Sequence, residues 1–369
     1  MPSVVAFRFG EAGADPAHTV FVDGTTDGFR SLSHWPGNTT PAPFKRDLST
    51  QICLAWAAAS PSERAELLGD FNEVANNHFD TDGVLSVFAV LFPEIALQHR
   101  DLMERAAATG DFGIWTGADA LALELTIMSI TQHPQSPLAP RCATLKSNAA
   151  RWELGYRWLL GELPALLDNP YSLAGLWSKQ HERICREVAA IDGGSGPTVE
   201  RHPALDLAVI TSPDDLTAIA LHHAAGELYR VLLIQPVVQP VFQLSVQPQR
   251  PDQAAAGLWR YRFCYRDESW FDTVHIRAQP RVDLDDALVQ LRRRELAAFN
   301  SSPNDNSPGG TPAPANWWVG ELAAPIVELR HSANNSGGGF GSDPTLSQDP
   351  PSRLAPAEVI DILVRCLSP

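Results

Sequence analysis

Several sequence features that usually identify a function are missing from this chain of 369 residues. No pair of cysteines has CxxC spacing, and the five cysteines present are an odd, scattered set. That pattern is typical of reduced thiols and disfavours a disulfide framework. No GxSxG nucleophile elbow occurs, and no cysteine has a recognisable nucleophile setting. We therefore expect neither a serine hydrolase nor a cysteine hydrolase.

Long apolar runs and an excess of basic residues are missing as well. No stretch of apolar residues is long enough for a transmembrane helix. The N-terminal stretch MPSVVAFRFGEAGADP has no basic region and only a short apolar part, so we expect no signal peptide and a cytoplasmic protein. The formal charge of −15, from 28 Lys and Arg against 43 Asp and Glu, disfavours free nucleic acid or an anionic membrane as the main partner.

The composition is that of a globular protein, because 44% of the residues are hydrophobic and 19% are charged. The length allows two domains, and Gly193–Pro197 is the clearest internal linker. We therefore predict an α/β domain over residues 1–192, with several helices over a small sheet, and a second α/β or α+β domain over residues 198–369. Segments 301–315 and 332–352 are rich in Ser, Pro, Gly and Asn, which predicts disordered loops.

Hydrophobic periodicity and capping residues predict the elements within these domains. Ser60, followed by Pro61 and Glu63, is a typical helix start, and the apolar spacing continues that helix to about Asn76. Gly24–Pro43 is too irregular to predict either type of element. The other predicted helices cover Ser49–Ala59, Gly83–Phe92, Pro93–Ala108, Ala118–Ile130, Asn148–Leu167, Ser172–Ile191, Ser212–Leu228, Asp283–Phe299 and Ala357–Leu367. Strands are predicted over Val4–Phe9, Thr19–Asp23, Leu205–Ile210, Tyr229–Ile234, Val241–Val246 and Leu258–Tyr265, and the strand, helix, strand order in the second domain suggests a parallel pair.

The best candidate for chemistry is the short run His78–Gly83, which reads HFDTDG. In an extended segment His78, Asp80 and Asp82 would point to the same side, because alternate residues share a face. Two carboxylates in such proximity repel one another unless a positive charge lies between them. A divalent cation meets that need, and a mixed imidazole and carboxylate set suits Mn, Zn, Fe or Mg.

The same run also fits an ordinary helix start without a metal. In that interpretation Asp82 caps the following helix, Asp80 accepts hydrogen bonds from turn amides, and His78 is a partly buried histidine with satisfied partners. A calcium-binding loop is disfavoured, because counting Asp80 as the first ligand places Val84 and Leu85 where an oxygen ligand and a turn glycine are required.

The stretch NHFDTDGVLSVFAVL resembles the H-x-D-x-D-G opening of the DHH phosphoesterase superfamily. In that superfamily His and Asp residues at strand ends bind a pair of divalent metals, and a further Asp comes from a later strand end. The resemblance implies that His78, Asp80 and Asp82 are metal ligands. It implies the same role for Asp111, which follows later in the chain.

The DHH triplet that gives that superfamily its name is missing from this sequence. The nearest segment is Ser33–Asn38, whose single histidine lies before the HFDTDG run, so that the match requires a permuted order. The pattern VDG, LSHWPGN, HFDTDG and GDF over residues 18–130 also resembles an uncharacterised bacterial family, a domain of unknown function. The resemblance implies that His34 is a ligand or a general acid, and that Asp82 acts in catalysis with it.

Residues that follow the His34 segment are candidates for binding a substrate. Lys45 and Arg46 would neutralise phosphate oxygens, with Asn38 as a third contact, although either basic residue alone also fits a solvated loop edge. We therefore expect a metal-dependent hydrolase of the phosphoesterase type, with a divalent metal as cofactor and a small phosphorylated substrate. The alternative is a non-catalytic protein that binds a ligand or a protein partner. The missing triplet favours that alternative, whereas the intact H-x-D-x-D run favours the enzyme.

Overall fold

The computed structural model describes residues 5–237, 258–277, 279–300, 316–319, 328–332 and 351–368. The chain divides into two compact units, each of which combines helices with a β-sheet, so the expectation of an α/β fold is confirmed. Unit 1 comprises Met1–Arg186 and Trp270–Arg277, and unit 2 comprises Glu187–Ser269 and Ala278–Pro369. The division therefore falls before the predicted linker, and a short segment from late in the chain belongs to unit 1.

Unit 1 contains a small sheet in which every paired strand is parallel to its neighbour. The strands lie in the order β1-β4-β2-β3. The middle strands are buried throughout or nearly so, as expected for a parallel sheet that is covered on both faces. Their bounds are β1 Ala6–Phe9, β2 Thr19–Val22, β3 Arg30–Leu32 and β4 Glu73–Asn76.

Several helices of unit 1 pack around one central helix. The bounds are α1 Ser49–Ala58, α2 Pro61–Leu68, α3 Thr81–Leu91, α4 Pro93–Gln98, α5 Arg100–Phe112, α6 Ala118–Ser129, α7 Ala139–Cys142 and α8 Asn148–Asp168, while α9 Ser178–Asp192 continues into unit 2. Helix α3 is the central one, and its residues from Thr81 to Val90 are all buried. It packs against α1, α5 and α8, so its first turn is held in place from several sides.

The predicted helix that begins at Ser60 is wrong in its second half. It ends at Leu68, because Gly69 has φ +73° and turns the chain away from the helix. Residues 73–76 instead form β4, which pairs with both β1 and β2. Burial of Val74 and Ala75 between two strands outweighs the helical spacing of the sequence. The strand β3 likewise lies in the region that appeared irregular.

Replacement of either of two glycines on α8 by alanine should have opposite effects on stability. A Cβ atom at Gly155 would lie 2.5 Å from the Thr131 Cγ2 atom and 2.8 Å from the Phe79 ring, whereas no atom of the described residues lies within 4 Å of one at Gly161. We expect Gly155→Ala to lower the free energy of unfolding by about 1–3 kcal/mol, because it overpacks the core. Gly161→Ala is the matched control and should raise it by up to about 1 kcal/mol. Urea denaturation of both variants measures this difference, and equal effects would contradict the packing at Gly155.

Unit 2 contains a mixed sheet with the strand order β5-β6-β7-β8-β10-β9. Its strands are β5 Thr198–His202, β6 Leu207–Thr211, β7 Arg230–Pro236, β8 Trp259–Tyr265, β9 Asn316–Val319 and β10 Glu328–Ser332. Its helices are α10 Ala218–Ala225, α11 Asp285–Asn300 and α12 Pro356–Leu367. The predicted parallel pair is confirmed, since β6 pairs in parallel with β7 across α10, and the other pairs are antiparallel.

Some sequence predictions fall on parts of the chain that the structure does not describe. The predicted strand Val241–Val246 and the loop 301–315 lie outside the described residues. Of the predicted loop 332–352, only residues 332, 351 and 352 are described, and Ser352 forms a β-bridge with Trp259. Within the described ranges, no helix combines the length and the apolar character that a membrane span requires.

Candidate metal centre

The ends of two neighbouring strands bring acidic and imidazole side chains together. Because β2 and β4 are parallel and adjacent, the residues that follow them lie at the same edge of the sheet. Asp23 follows β2, and its Oδ2 atom lies 2.9 Å from the Nε2 atom of His78, which follows β4. The same Nε2 atom lies 2.9 Å from the Oδ2 atom of Asp80. We call Asp23, His78 and Asp80 the outer set, since the side chains of His78 and Asp80 are 21% and 23% exposed.

A second set surrounds His34 and is buried. Its Nε2 atom lies 3.4 Å from an oxygen of Asp23, 3.6 Å from one of Asp82 and 3.2 Å from one of Asp111. One potential ligand atom from each of these residues lies within 4.8 Å of all the others. We call Asp23, His34, Asp82 and Asp111 the inner set. Asp23 belongs to both sets and offers one carboxylate oxygen to each imidazole.

The hydrogen bonding of His34 leaves one ring nitrogen directed at the carboxylates. Its Nδ1–H donates to the backbone carbonyl of Asp47 at 2.6 Å. Its Nε2 atom is buried, and the part of the chain that the structure describes offers it no hydrogen-bond partner, although three carboxylates surround it. Metal-binding histidines commonly donate one ring N–H to a carbonyl in this way, which fixes the tautomer and presents the other nitrogen to the ion. His34 therefore fits a metal ligand.

The first turn of α1 orients the carboxylates of the inner set. The backbone N–H groups of Ser49 and Thr50 donate to the two oxygens of Asp82 at 2.8 and 2.7 Å. The Ser49 hydroxyl and the indole N–H of Trp35 donate to one oxygen of Asp23, at 2.8 and 3.1 Å. Amides at a helix N-terminus stabilise negative charge. Both oxygens of Asp82 and the second oxygen of Asp23 keep a further lone pair, because none of them accepts more than one of these hydrogen bonds. These contacts leave both carboxylates able to bind a cation.

Mutual proximity shifts the pKa values of the cluster in a consistent way. Burial, together with the charge of Asp23, raises the pKa of Asp82 to about 7. Burial and the charge of Asp82 also raise the pKa of Asp111 well above its ordinary value. Burial lowers the pKa of His34, but the surrounding carboxylates outweigh it and raise that pKa well above 6.5. Without a cation the cluster therefore retains protons that offset its negative charge.

Asp23 and His78 complete this electrostatic pattern. Burial raises the pKa of Asp23, yet the neighbouring imidazoles of His34 and His78 outweigh that effect and hold it below its ordinary value. Burial lowers the pKa of His78, and the charges of Asp80 and Asp23 outweigh burial and raise it well above 6.5. Among the carboxylates of the inner set, Asp23 is thus the one that stays ionised.

Two further groups lie beside the two sets, and no local sequence pattern indicated them. The Thr81 hydroxyl, between Asp80 and Asp82, donates to the carboxyl group of Glu124 on α6. Burial raises the pKa of Glu124 to about 7, so this carboxyl is a potential proton carrier. The Tyr156 hydroxyl is buried beside the first turn of α3, and no residue in the described ranges forms a hydrogen bond with it.

Residues Trp270–Arg277, which we call the cover segment, pack over the inner set within unit 1. The ring of Phe271 stacks on His34, with centroids 4.0 Å apart and planes 14° apart. The backbone N–H of Asp272 donates to the carbonyl of His34 at 2.7 Å. The carboxylate of Asp47 accepts from the amides of Val274 and His275 at 2.6 and 2.7 Å. The inner set is therefore enclosed, and the outer set is the part that solvent reaches.

The structure brings together the predicted ligands, but in a different arrangement from the one expected. The prediction that His78, Asp80 and Asp82 converge from an extended segment is wrong, because Asp80 is the N-cap of α3 and accepts from the Gly83 amide. Asp82 therefore lies in the first turn of a helix and joins the inner set, whereas His78 and Asp80 form the outer set. His34 and Asp111 join the inner set, so the segment before the HFDTDG run does reach it.

The residue that links the two sets, Asp23, was missing from the predicted ligands. The available signal was an aspartate immediately after a buried apolar strand, followed by Gly24. Asp23 has φ +47°, a left-handed conformation that is uncommon for residues other than glycine and is often found at functional sites. The position of β4 next to β2 is what makes this aspartate meet His78, and the sequence did not predict β4.

The predicted substrate-binding residues lie outside both sets. Asn38 and Lys45 contact the carboxylate of Asp272 in the cover segment. The guanidinium of Arg46 donates to the carbonyls of Pro43 and Lys45, and it lines a separate surface cavity of ≈ 370 Å³ that shares no residue with the two sets. These three residues are therefore not grouped around one point.

The chain belongs to a family of unknown function, DUF6687, whose model matches residues 6–369. This match confirms the expected membership of an uncharacterised family, whereas no comparison shows the resemblance to DHH phosphoesterases. Neither a curated protein nor a solved structure matches the chain. Membership of this family therefore assigns no activity to the chain.

Proposed function

We propose that this protein is a metal-dependent hydrolase in which the inner and outer sets hold two divalent cations that share Asp23. The observation that carries the proposal is the buried Nε2 atom of His34, which faces three carboxylates and has no hydrogen-bond partner among the described residues. A buried polar atom without a partner is costly, and repulsion among buried carboxylates adds to that cost. A cation coordinated by both kinds of group removes both penalties.

The donor atoms favour a reaction on an anionic substrate. Imidazole nitrogens and carboxylate oxygens suit Mn, Zn, Fe or Mg. Paired cations of this kind are common in hydrolases that act on phosphate esters, where they activate water and neutralise the charge on the transferred group. A chain with a formal charge of −15 needs such neutralisation to hold a phosphorylated substrate.

The residues of the site also indicate where the substrate enters. Phe271 and Phe112 pack with His34, which excludes water from that side of the inner set. His78 and Asp80 remain partly exposed, so the substrate reaches the centre through the outer set. The Trp35 ring packs against the His78 ring, with 5.0 Å between the centroids, and holds it in place. The indole N–H of Trp35 donates to Asp23.

Hydrolysis of a panel of phosphate monoesters, diesters and nucleotides with Mn²⁺ present tests the proposal. We expect turnover by the wild type and at least about a 100-fold loss in Asp82→Asn, because a direct ligand should matter more than the 10- to 100-fold attributed to outer-shell partners. Asp27→Asn is the matched control, since Asp27 is exposed and belongs to neither set.

Three results of this experiment are informative. Turnover that depends on Mn²⁺ and is lost only in Asp82→Asn supports the hydrolase. Bound metal without hydrolysis of any substrate in the panel contradicts it and leaves a non-catalytic metal-binding protein. Equal turnover by the wild type and Asp82→Asn would show that the activity arises elsewhere.

A further inference from the structure

A carboxylate of the cover segment is held by two of the three residues that the sequence suggested for substrate binding. The Oδ2 atom of Asp272 lies 2.6 Å from the Nζ atom of Lys45 and accepts a hydrogen bond from the Nδ2 atom of Asn38 at 3.0 Å. The backbone N–H of Asp272 donates to the carbonyl of His34, so this carboxylate is fixed beside a residue of the inner set. One cation and one amide thus converge on a single anionic oxygen next to the proposed metal centre.

The cover segment has other anchors that do not need this contact. Asp47 accepts two of its backbone amides at 2.6 and 2.7 Å, and Phe271 packs on His34 and Phe112. The side chains of Lys45 and Asp272 are 37% and 47% exposed, and ion pairs this exposed contribute little to stability. The donors therefore remain available for another anion.

We propose that Asn38 and Lys45 form a binding site for a phosphate group of the substrate, and that the Asp272 carboxylate occupies this site in the absence of substrate. The inference rests on the proposed function, because an anionic substrate is what brings a phosphate to this edge of the centre. A phosphate oxygen replaces the carboxylate oxygen and takes up the same ammonium and amide donors. Asp272 then acts as an internal competitor that the substrate displaces.

An internal competitor lowers the apparent affinity for the external anion, because only the sites that it leaves free can bind that anion. We expect Asp272→Ala to bind inorganic phosphate about fivefold more tightly than the wild type, which corresponds to an exposed ion pair of ordinary strength. Lys45→Met should bind phosphate about tenfold more weakly, because it removes a charged hydrogen-bond donor. Both substitutions lie at exposed or partly exposed positions, so the fold should tolerate them.

Isothermal titration calorimetry with inorganic phosphate measures these affinities, with and without saturating Mn²⁺. Asp27→Ala and Lys146→Met are the matched controls, since both residues are exposed, belong to neither set, and change the net charge in the same way. Tighter binding by Asp272→Ala and weaker binding by Lys45→Met, each relative to its control, support the inference. Unchanged affinity in either variant overturns it.

The failure of this inference differs from the failure of the proposed function. If the wild type does not bind Mn²⁺, the metal centre is contradicted. The titration without Mn²⁺ still tests whether Asn38 and Lys45 bind phosphate. If Mn²⁺ binds and the phosphate affinities of the variants equal those of their controls, the metal centre stands and the phosphate site does not.

Discussion

Replacement of Asp23 by Asn is expected to remove both cations from the protein and to lower hydrolysis by at least about 10³-fold. The reason is that Asp23 faces the imidazole of each set, at 3.4 Å from His34 and 2.9 Å from His78. Asparagine retains one oxygen, which keeps an acceptor for the Ser49 hydroxyl and the Trp35 indole. The fold should therefore persist while the shared negative charge is lost.

Metal analysis of the Mn²⁺-loaded and desalted protein measures this effect, with one single-set variant and one control variant for comparison. His78→Ala removes a ligand of the outer set alone, so it should retain one Mn²⁺ per chain, and Asp27→Asn should retain two. Asp23→Asn should retain none. If Asp23→Asn binds as much Mn²⁺ as the wild type, the shared carboxylate is not a ligand and the arrangement of two linked sets is incorrect.

Addition of Mn²⁺ to chelator-treated protein should stabilise it strongly, and more at pH 8 than at pH 5. At a free concentration about 1,000 times the dissociation constant, each site adds about 4 kcal/mol to the free energy of unfolding. For a unit of this size that raises the midpoint of thermal unfolding by about 8 to 16 °C for each site. Mn²⁺ must displace protons from the side chains that bind it, so the stabilisation by Mn²⁺ depends on pH.

The direction of this pH dependence follows from the raised pKa values. Asp82 titrates at about 7 in the folded chain instead of near 3.8, and the pKa values of Asp111 and His34 are raised as well. A group with a raised pKa in the folded state stabilises it at low pH and loses that contribution as the pH rises through the folded pKa. The lowered pKa of Asp23 acts in the opposite sense, but only in acid below its unfolded value near 3.8. The cation-free protein should therefore lose stability between pH 5 and pH 8.

Two measurements check this prediction. Urea denaturation with chelator should give a midpoint that falls from pH 5 to pH 8, and Mn²⁺ should restore it. Calorimetric titration of Mn²⁺ in buffers of different ionisation enthalpy should show proton release at pH 7. A midpoint independent of pH, or Mn²⁺ binding without proton release, would mean that the cluster does not carry the protons assigned to it.

Much of the helical framework could be predicted from the sequence because its signals are local. The capping box of Ser60 with Glu63 forms as expected, and the apolar run after Asp82 is the buried helix α3. The strand β4 could not be predicted in this way, because its four residues continue an apparent helical pattern and only their partners in β1 and β2 make them a strand. Local sequence patterns therefore could not predict the order of the strands in the sheet.

The same limit explains which site residues the sequence indicated. His78, Asp80 and Asp82 lie close together in the chain, so their spacing alone drew attention to them. Asp23 joins them only through the pairing of β2 with β4. The cover segment is more distant still, since Phe271 and His34 are far apart in sequence and meet through tertiary packing. Non-local contacts of this kind leave no periodic signal in the chain.

The central claim is that two cations bind where the inner and outer sets meet, and anomalous diffraction from crystals grown with Mn²⁺ tests it most directly. We predict two anomalous peaks for each chain, one in contact with the Nε2 atom of His34 and the other with the Nε2 atom of His78, with Asp23 as a ligand to both. Crystals that contain Mn²⁺ but show no peak at either imidazole would contradict the claim.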